Sequence, residues 1–375
     1  MNNKPSPELN INDERSVRLA KVTELENKGI ASFPAQVPQH ITVKEALDLA
    51  EGKTVTVNGR LMTKREMGKL TFCHLQDETG KMQIALKSDE IDLEIYKTFT
   101  KLIDTGDIVS VTGERFTTHK GESSVLVKAW TLLSKALLPL PDKFHGLQDE
   151  EVRYRKRYLD FLTNPEQKEK ILVRSRMLRY FREFLNSKNF IEVETPILEN
   201  VASGAMAESF DTHLNAYDLP VHLRICIGEL WQKRLMVGGF EKTYEIGRAF
   251  RNEGVDHQHN PEFTMIEYYW AYADYEDNMR LHEELIPYLV EKSVGKLVIE
   301  SEGHTIDFTA PYPRVTFHDA VLEHSGIDIN DYMDAESLKK IMQQKGYEVE
   351  DNAGRGKLLD GLYKQSARPK LIQPT

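Results

Sequence analysis

The sequence predicts an α+β chain in two parts: a small N-terminal β-barrel, then an antiparallel sheet flanked by helices. Two observations predict it. Between residues 53 and 134, apolar and polar residues alternate in short runs rich in β-branched side chains, which is the period of a strand. Beyond residue 148, long helical runs enclose further alternating ones. A proline-bearing stretch, "SKALLPLPDKFHG" (134–146), separates the two. At 375 residues the chain has room for at least two domains.

The elements follow in order. "DERSVRLAKVTELENKGI" (13–30) carries Val17, Leu19, Val22 and Leu25 at helical spacing, and Gly29 ends it. "FPAQVPQH" (33–40) is a connector. "KTVTVNGRLM" (53–62), "KLTFCHLQD" (69–77) and "KMQIALK" (81–87) read as strands, the last two joined by the turn "ETG". "DLEIYKTFTKLI" (92–103) reads as a helix. Residues 107–133 read as two more strands that turn near Lys120 and Gly121. Three strands, a helix and two strands suit an OB-fold, though other small barrels share that order.

After the linker, 148–162 and 165–188 read as helices. Asn164 caps the second, and Pro165 takes its first position. Ile171, Leu172, Met177, Leu178, Phe181 and Leu185 can share its buried side. "NFIEVETPIL" (189–198) enters a strand that stops at Pro196. From 205 to about 270 the pattern is antiparallel strands and one short helix (227–238). Strands 242–251 and 262–272 flank the loop "NEGVDHQHNP" (252–261). A helix over 275–294 and a looser tail complete the chain.

Bulk properties exclude some functions. Hydrophobic residues make up 40% and charged residues 29%, ordinary for a globular protein. No apolar run is long enough to cross a membrane, and the polar N-terminus lacks a signal-peptide core, so no membrane role is expected. Cys73 and Cys226 form neither a CxxC pair nor a disulfide framework, and a reduced, cytoplasmic setting is the default. The net charge of −10 argues against indiscriminate nucleic-acid binding, although Lys and Arg outnumber acids between 151 and 190.

The segment "FRNEGVDHQHNPEFTMIEYY" (250–269) concentrates the chemistry. His257 and His259, an i, i+2 pair beside Asp256, could hold a metal, but no obvious third and fourth ligand is present. Arg251 at a strand end could fork onto a phosphate, with Phe263 as a stacking face and Glu253 as an acceptor for an exocyclic amine. Glu267 lies four residues past Phe263, on the same strand face. It and Glu229 would be costly to bury unless a cation arrives. A plain surface bridge from Arg251 to Glu253 or Glu262 is equally open at this point.

"FRNEG" and "HNPEFTMIE" resemble motif 2 of class II aminoacyl-tRNA synthetases, in the form carried by lysyl-tRNA synthetases. "FIEVETPIL" resembles motif 1, and "VNGRLMTKREMGKLTFCHLQDETGKMQ" resembles the first strands of the family's OB-fold anticodon-binding barrel. "LPDKFHGLQDEEVRYRKRYLDFL" is similar to the segment joining that barrel to the catalytic domain. The resemblance implies an anticodon-binding part over 1–134, a linker over 135–148 and a catalytic part over 149–375. It implies that Arg251 binds the α-phosphate of ATP and that Phe263 stacks on adenine. Glu253, His259 and Asn260 would lie near the nucleotide. Gly204, Glu229, Glu267 and Tyr269 would meet L-lysine. Phe72 would stack on an anticodon base, with Arg60, Gln76 and Glu122 contacting bases or backbone. Pro196 would sit at a homodimer interface. ATP, Mg²⁺ and tRNA(Lys) are the implied cofactors and partner.

The chain departs from the family pattern in places. The third motif, a glycine-rich stretch ending in Arg, is not found. "NAGRGKLL" (352–359) precedes its expected place and is not a Walker A loop. The resemblance therefore implies a catalytic sheet truncated at its C-terminal end, with motif 3 and the metal-binding carboxylates beyond Thr375. Glu208 stands where a basic residue is common, and Gln258 where Arg is frequent. "RICIGELWQKRL" (224–235) differs from the usual approach to the lysine-binding Glu. Competing readings are an aspartate- or asparagine-type enzyme of the same subclass, a paralogue that lysylates proteins, and a non-catalytic tRNA-binding protein. Glu267 argues against an acidic substrate, and the barrel argues against the paralogue.

Overall fold

The computed structural model describes residues 11–141, 147, 149–256 and 258–375. Within the expected linker, 142–146 and 148 lie outside the described residues, as does His257. The chain divides into two compact units, Met1–Gln167 and Lys168–Thr375.

In the first unit, α1 (Ile11–Asn27) and α2 (Val43–Asp48) precede the barrel strands β1 (Thr54–Met67), β2 (Leu70–Gln76) and β3 (Lys81–Lys87). Helix α3 (Leu93–Leu102) follows, then β4 (Ile108–Thr117) and β5 (Ser123–Ser134). The strands close in the order β1-β2-β3-β5-β4. Only β3 and β5 run parallel, and the other neighbours are antiparallel. This is the OB-fold. Alternation drives it: Val55, Val57 and Leu61 of β1 point inward with Cys73 and Leu75 of β2. Thr42 and Glu45 form a capping box that starts α2, and Asp92 caps α3.

An ionic cluster stands beside the barrel. The fully buried Lys135 ammonium lies 2.6 Å from Asp104 and 2.7 Å from Asp107. Asp104 also takes Lys21 of α1, and Arg18 of α1 donates to the Thr105 and Ala136 carbonyls. Helix α1 is therefore held largely by charge. Of its expected apolar stripe, Leu25 is buried, whereas Val17 and Leu19 are exposed. The helical run expected over 148–162 is two helices, α4 (Glu150–Arg155) and α5 (Arg157–Thr163), broken at Lys156.

The second unit opens with most of α6 (Pro165–Ser187), which leads to β6 (Ile191–Glu192) and β7 (Leu198–Glu199). The single strand expected to run to Pro196 is thus two short pieces, and β6 pairs in parallel, not antiparallel, with the later strand at Thr243 and Tyr244. Next come β8 (Asp211–Leu214), β9 (Leu219–Leu223), α7 (Glu229–Val237), β10 (Lys242–Phe250), β11 (Glu262–Trp270) and α8 (Tyr275–Val294). Strands β10 and β11 pair antiparallel over nine residues. Tyr244, Ile246, Ile266, Tyr268 and Trp270 turn one face onto α6 and α8, through Phe184, Leu185, Leu281 and Leu285. On α6, Ile171 and Met177 are exposed, so its buried stripe is narrower than the sequence suggests.

The tail is better ordered than expected. A hairpin, β12 (Val298–Ser301) and β13 (His304–Asp307), precedes α9 (Phe317–Ser325), α10 (Ala335–Gln344) and α11 (Arg355–Ser366). Thr316 and Asp334 cap the first two of these helices. Val321, Leu338, Met342, Leu358 and Leu362 form their own small core. The glycine-rich "NAGRGKLL" is the start of α11, where Arg355 donates to the Tyr332 and Ile329 carbonyls.

Candidate active site and nucleic-acid face

The site face of the β10–β11 ribbon is the one turned away from the helices. Cross-strand register places Ala249 opposite Phe263, Gly247 opposite Met265, Glu245 opposite Glu267 and Thr243 opposite Tyr269. Directly opposed residues share a face. Phe263, Glu267 and Tyr269 therefore line one surface, as the spacing predicts.

Arg251 leaves the end of β10. Its guanidinium carbon lies 5.2 Å from the centre of the Phe263 ring, and its Nε donates to the Ile225 carbonyl at 3.3 Å. The expected alternative of a surface bridge is not formed, because Glu262 lies beside Arg248 instead, at 3.5 Å. Glu253, His259 and Asn260 are exposed in the loop. Asp256 organises that loop: its carboxylate accepts from the backbone N–H groups of Gln258 and His259 and faces the His259 ring at 2.9 Å. These bonds, led by the Gln258 N–H, hold its carboxyl down at about 2. Among the described residues, no group of three or more His, Cys, Asp or Glu side chains could hold a metal ion.

Glu267 is half-buried. It accepts from the Ile227 N–H and the Tyr269 hydroxyl, both at 3.2 Å. Its described partners are hydrogen-bond donors, not cations. Burial pushes its carboxyl above the usual range. Burial also lifts the Tyr269 phenol, aided by the Glu267 and Glu229 carboxylates. Glu229, at the start of α7, pairs with Lys233 one helical turn on. Gly204 closes the pocket wall with φ +90°, where a Cβ would fall 2.1 Å from Cys226 Sγ and 2.6 Å from Glu229 Oε2. Only glycine suits that backbone and that space.

Three residues here were not anticipated. Glu245 lies opposite Glu267 and is neutralised by the buried Arg224 guanidinium at 2.5 Å, while Thr195 binds its second oxygen. Arg224 also donates to the Arg248 carbonyl. Glu199 of β7 is only 8% exposed, its Oε2 has no hydrogen-bond partner among the described residues, and burial raises its carboxyl. The β10 pattern could have revealed Glu245, since Thr243, Glu245, Gly247 and Ala249 read as a small and polar face. Glu199, in a two-residue strand, left no such signal. The arrangement as a whole is a half-buried cluster of carboxylates beside an Arg-capped aromatic face. It can bind a compact cation next to an anion that carries a planar ring.

On the barrel, β2 turns Phe72, His74 and Gln76 outward between buried Thr71, Cys73 and Leu75. Phe72 lies opposite Arg65 and Ala85, and Gln76 opposite Arg60. Arg60 donates to the Gly106 carbonyl at 2.6 Å. Glu122 bonds His74 and Gln83. Arg65, His74 and Gln83 join the expected residues on this outer face of β1–β3. An aromatic ring among polar side chains is the arrangement that binds unstacked bases.

Residues 149–353 match the class II tRNA synthetases (D, K and N), and residues 55–133 match the OB-fold nucleic acid binding domain. The first match spans more than half the chain, and the chain belongs to the class II tRNA synthetase family. Its similarity within that family is to proteins named lysine–tRNA ligase. That of Moorella thermoacetica is 44% identical over 367 residues, covering 97% of this chain and 75% of the relative. That of Carboxydothermus hydrogenoformans is 45% identical over 368 residues, with the same coverage. That of Syntrophomonas wolfei is 45% identical over 371 residues, covering 98% and 75%.

Proposed function

We infer that this chain carries the ATP-dependent activation of L-lysine and its transfer to tRNA(Lys). The observation that carries the reading is Glu267: a half-buried carboxylate, held by hydrogen bonds and with no cation paired to it among the described residues, on the same face as Phe263, over which Arg251 lies. An incoming ammonium supplies the missing charge. An acidic substrate would instead meet Glu267, Glu229 and Glu199, which disfavours the aspartate- or asparagine-type alternative.

The chemistry divides among these residues. The lysine carboxylate attacks the α-phosphorus of ATP, forming lysyl-adenylate and releasing pyrophosphate. The step needs positioning and charge neutralisation more than a base. Arg251 neutralises α-phosphate charge, and Phe263 stacks on adenine. Glu253, His259 and Asn260 face the nucleotide from the loop. Gly204, Glu229, Glu267 and Tyr269 hold lysine. A ribose hydroxyl at the tRNA 3′ end then attacks the adenylate carbonyl and AMP leaves. Mg²⁺ accompanies the nucleotide as a counter-ion, and no described side chain is assigned to it. Residues 1–134 serve the anticodon, through Phe72, Arg60, Gln76 and Glu122, and residues 149–375 serve the chemistry. Exposed Pro196, with Ile197 and Leu198 also exposed beside it, supports a homodimer contact. A cytoplasmic location fits two buried free cysteines, and no described helix is long and apolar enough to cross a membrane.

Calorimetric titration of the chain with L-lysine, L-aspartate and L-asparagine tests the reading. Lysine alone should bind, and Glu267→Gln should weaken it by at least tenfold. Binding of aspartate without lysine would overturn it. Arg251→Ala should weaken ATP while sparing lysine.

A further inference from the structure

The outer face of the barrel carries a continuous relay of hydrogen bonds that converges on Glu122. We propose that His74 is a positioning residue for RNA recognition, fixing the Glu122 carboxylate beside Phe72 for contact with an unpaired base. The proposal rests on the reading of the barrel as the anticodon face.

Register brings the relay together. Thr63 of β1 lies opposite His74 of β2, and His74 opposite Gln83 of β3. The His74 Nδ1 is 2.7 Å from the Thr63 hydroxyl, and its Nε2 is 3.0 Å from Glu122 Oε1. The Gln83 amide donates to Glu122 Oε2 at 2.7 Å, and the Ser124 hydroxyl donates to the Gln83 carbonyl oxygen at 2.9 Å. Proton bookkeeping follows from the acceptor at the centre. An ionised carboxylate only accepts, so the Nε2 of His74 carries the hydrogen that faces Glu122, and the Thr63 hydroxyl, able to donate or accept, serves Nδ1. From the other side, Ser124 fixes which end of the Gln83 amide faces Glu122.

Glu122 needs this support. It sits in the β4–β5 turn, directly after Gly121 at φ +81°, and its side chain is about half exposed. A free Glu there would sample several rotamers, and binding would have to freeze them. The relay gives each carboxylate oxygen one donor and leaves further lone-pair capacity for the N–H groups of a base. Phe72, two residues before His74, presents its ring on the same face.

The test is fluorescence anisotropy with the full 375-residue chain and a labelled anticodon stem-loop of a lysine tRNA, using variants F72A, H74A, H74Q, E122A and H74A/E122A. H74A is expected to weaken binding roughly 3–10-fold. H74Q keeps an N–H donor and should recover most of that loss. The double variant should bind no more weakly than E122A, because His74 acts through Glu122. Additive losses, or an H74A affinity equal to that of the unaltered chain, would overturn the positioning role while leaving the barrel reading intact. An F72A affinity equal to that of the unaltered chain would overturn both.

Discussion

Arg224→Met is the sharpest probe of the pocket. Arg224 is buried and is the cation that neutralises Glu245, which stands directly across the ribbon from Glu267. Removing it leaves a buried carboxylate facing a half-buried one. At a separation of about 5 Å and an effective dielectric of about 20, their repulsion is roughly 3 kcal/mol. Breaking a buried ion pair from one side costs about 3–5 kcal/mol, of the same order. The loss should depend on pH. Glu267 already titrates above its ordinary range because of burial, and an uncompensated carboxylate across the ribbon should raise it further. A raised carboxyl leaves stability intact below its unfolded pKa and removes it as pH rises through the folded value. The penalty should therefore be full near pH 8 and much smaller near pH 5. Hydrogen exchange read by mass spectrometry would report it locally, in β10 and β11 peptides against barrel peptides. Adding Glu245→Gln should restore most of the loss. A loss below about 1 kcal/mol, a loss equal at both pH values, or a double variant as weak as the single one would refute the reasoning.

Three further outcomes are expected. Gly204→Ala should destabilise the second unit by about 2–4 kcal/mol, from left-handed strain and the collision with Cys226, and should weaken lysine binding; an unchanged lysine affinity by calorimetry would contradict the assigned pocket wall. Lysine binding just above the ordinary Glu range should release protons, because the raised Glu267 carboxyl must ionise to pair; binding heats that do not vary with buffer ionisation enthalpy would contradict this. Lys135→Met should destabilise the barrel by about 3–5 kcal/mol, leaving buried Asp107 without a cation and Asp104 with Lys21 alone. Burial raises Asp104, but the Lys135 and Lys21 ammonium groups more than offset it and leave it low. Its contribution is present above the ordinary Asp range and lost as pH falls through the depressed value, so acid unfolding of the barrel should shift upward in this variant.

The barrel was legible because alternation is a local signal: each of its strands carries its own inside and outside. Phe263 and Glu267 were placed by the same parity, whereas Tyr269 came only from the resemblance. Arg251, in contrast, could not be told from a surface bridge, since only the fold shows that Arg248 takes the place beside Glu262 and leaves Arg251 over Phe263. Glu199 and the Arg224–Glu245 pair were missed because their meaning depends on segments about 20 to 50 residues apart coming together. The tail read as loose because its helices are short, and their small core is visible only once they pack. His74 looked like one more strand residue until Glu122 arrived from the β4–β5 turn.

The straight run of β11 also acts as a ruler. Phe263 and Glu267 are four residues apart on one extended strand, a span of about 14 Å at roughly 3.4 Å per residue. Nine consecutive pairings to β10 keep that span from stretching or bending freely. The ring proposed to meet the base and the carboxylate proposed to meet the ammonium are thus set at a distance fixed by covalent backbone, not by a loop. A one-residue insertion between them would turn Glu267 toward α6 and α8, and a two-residue insertion would restore its face but lengthen the gauge by about 7 Å. The gauge of the candidate site is therefore written as a count of residues.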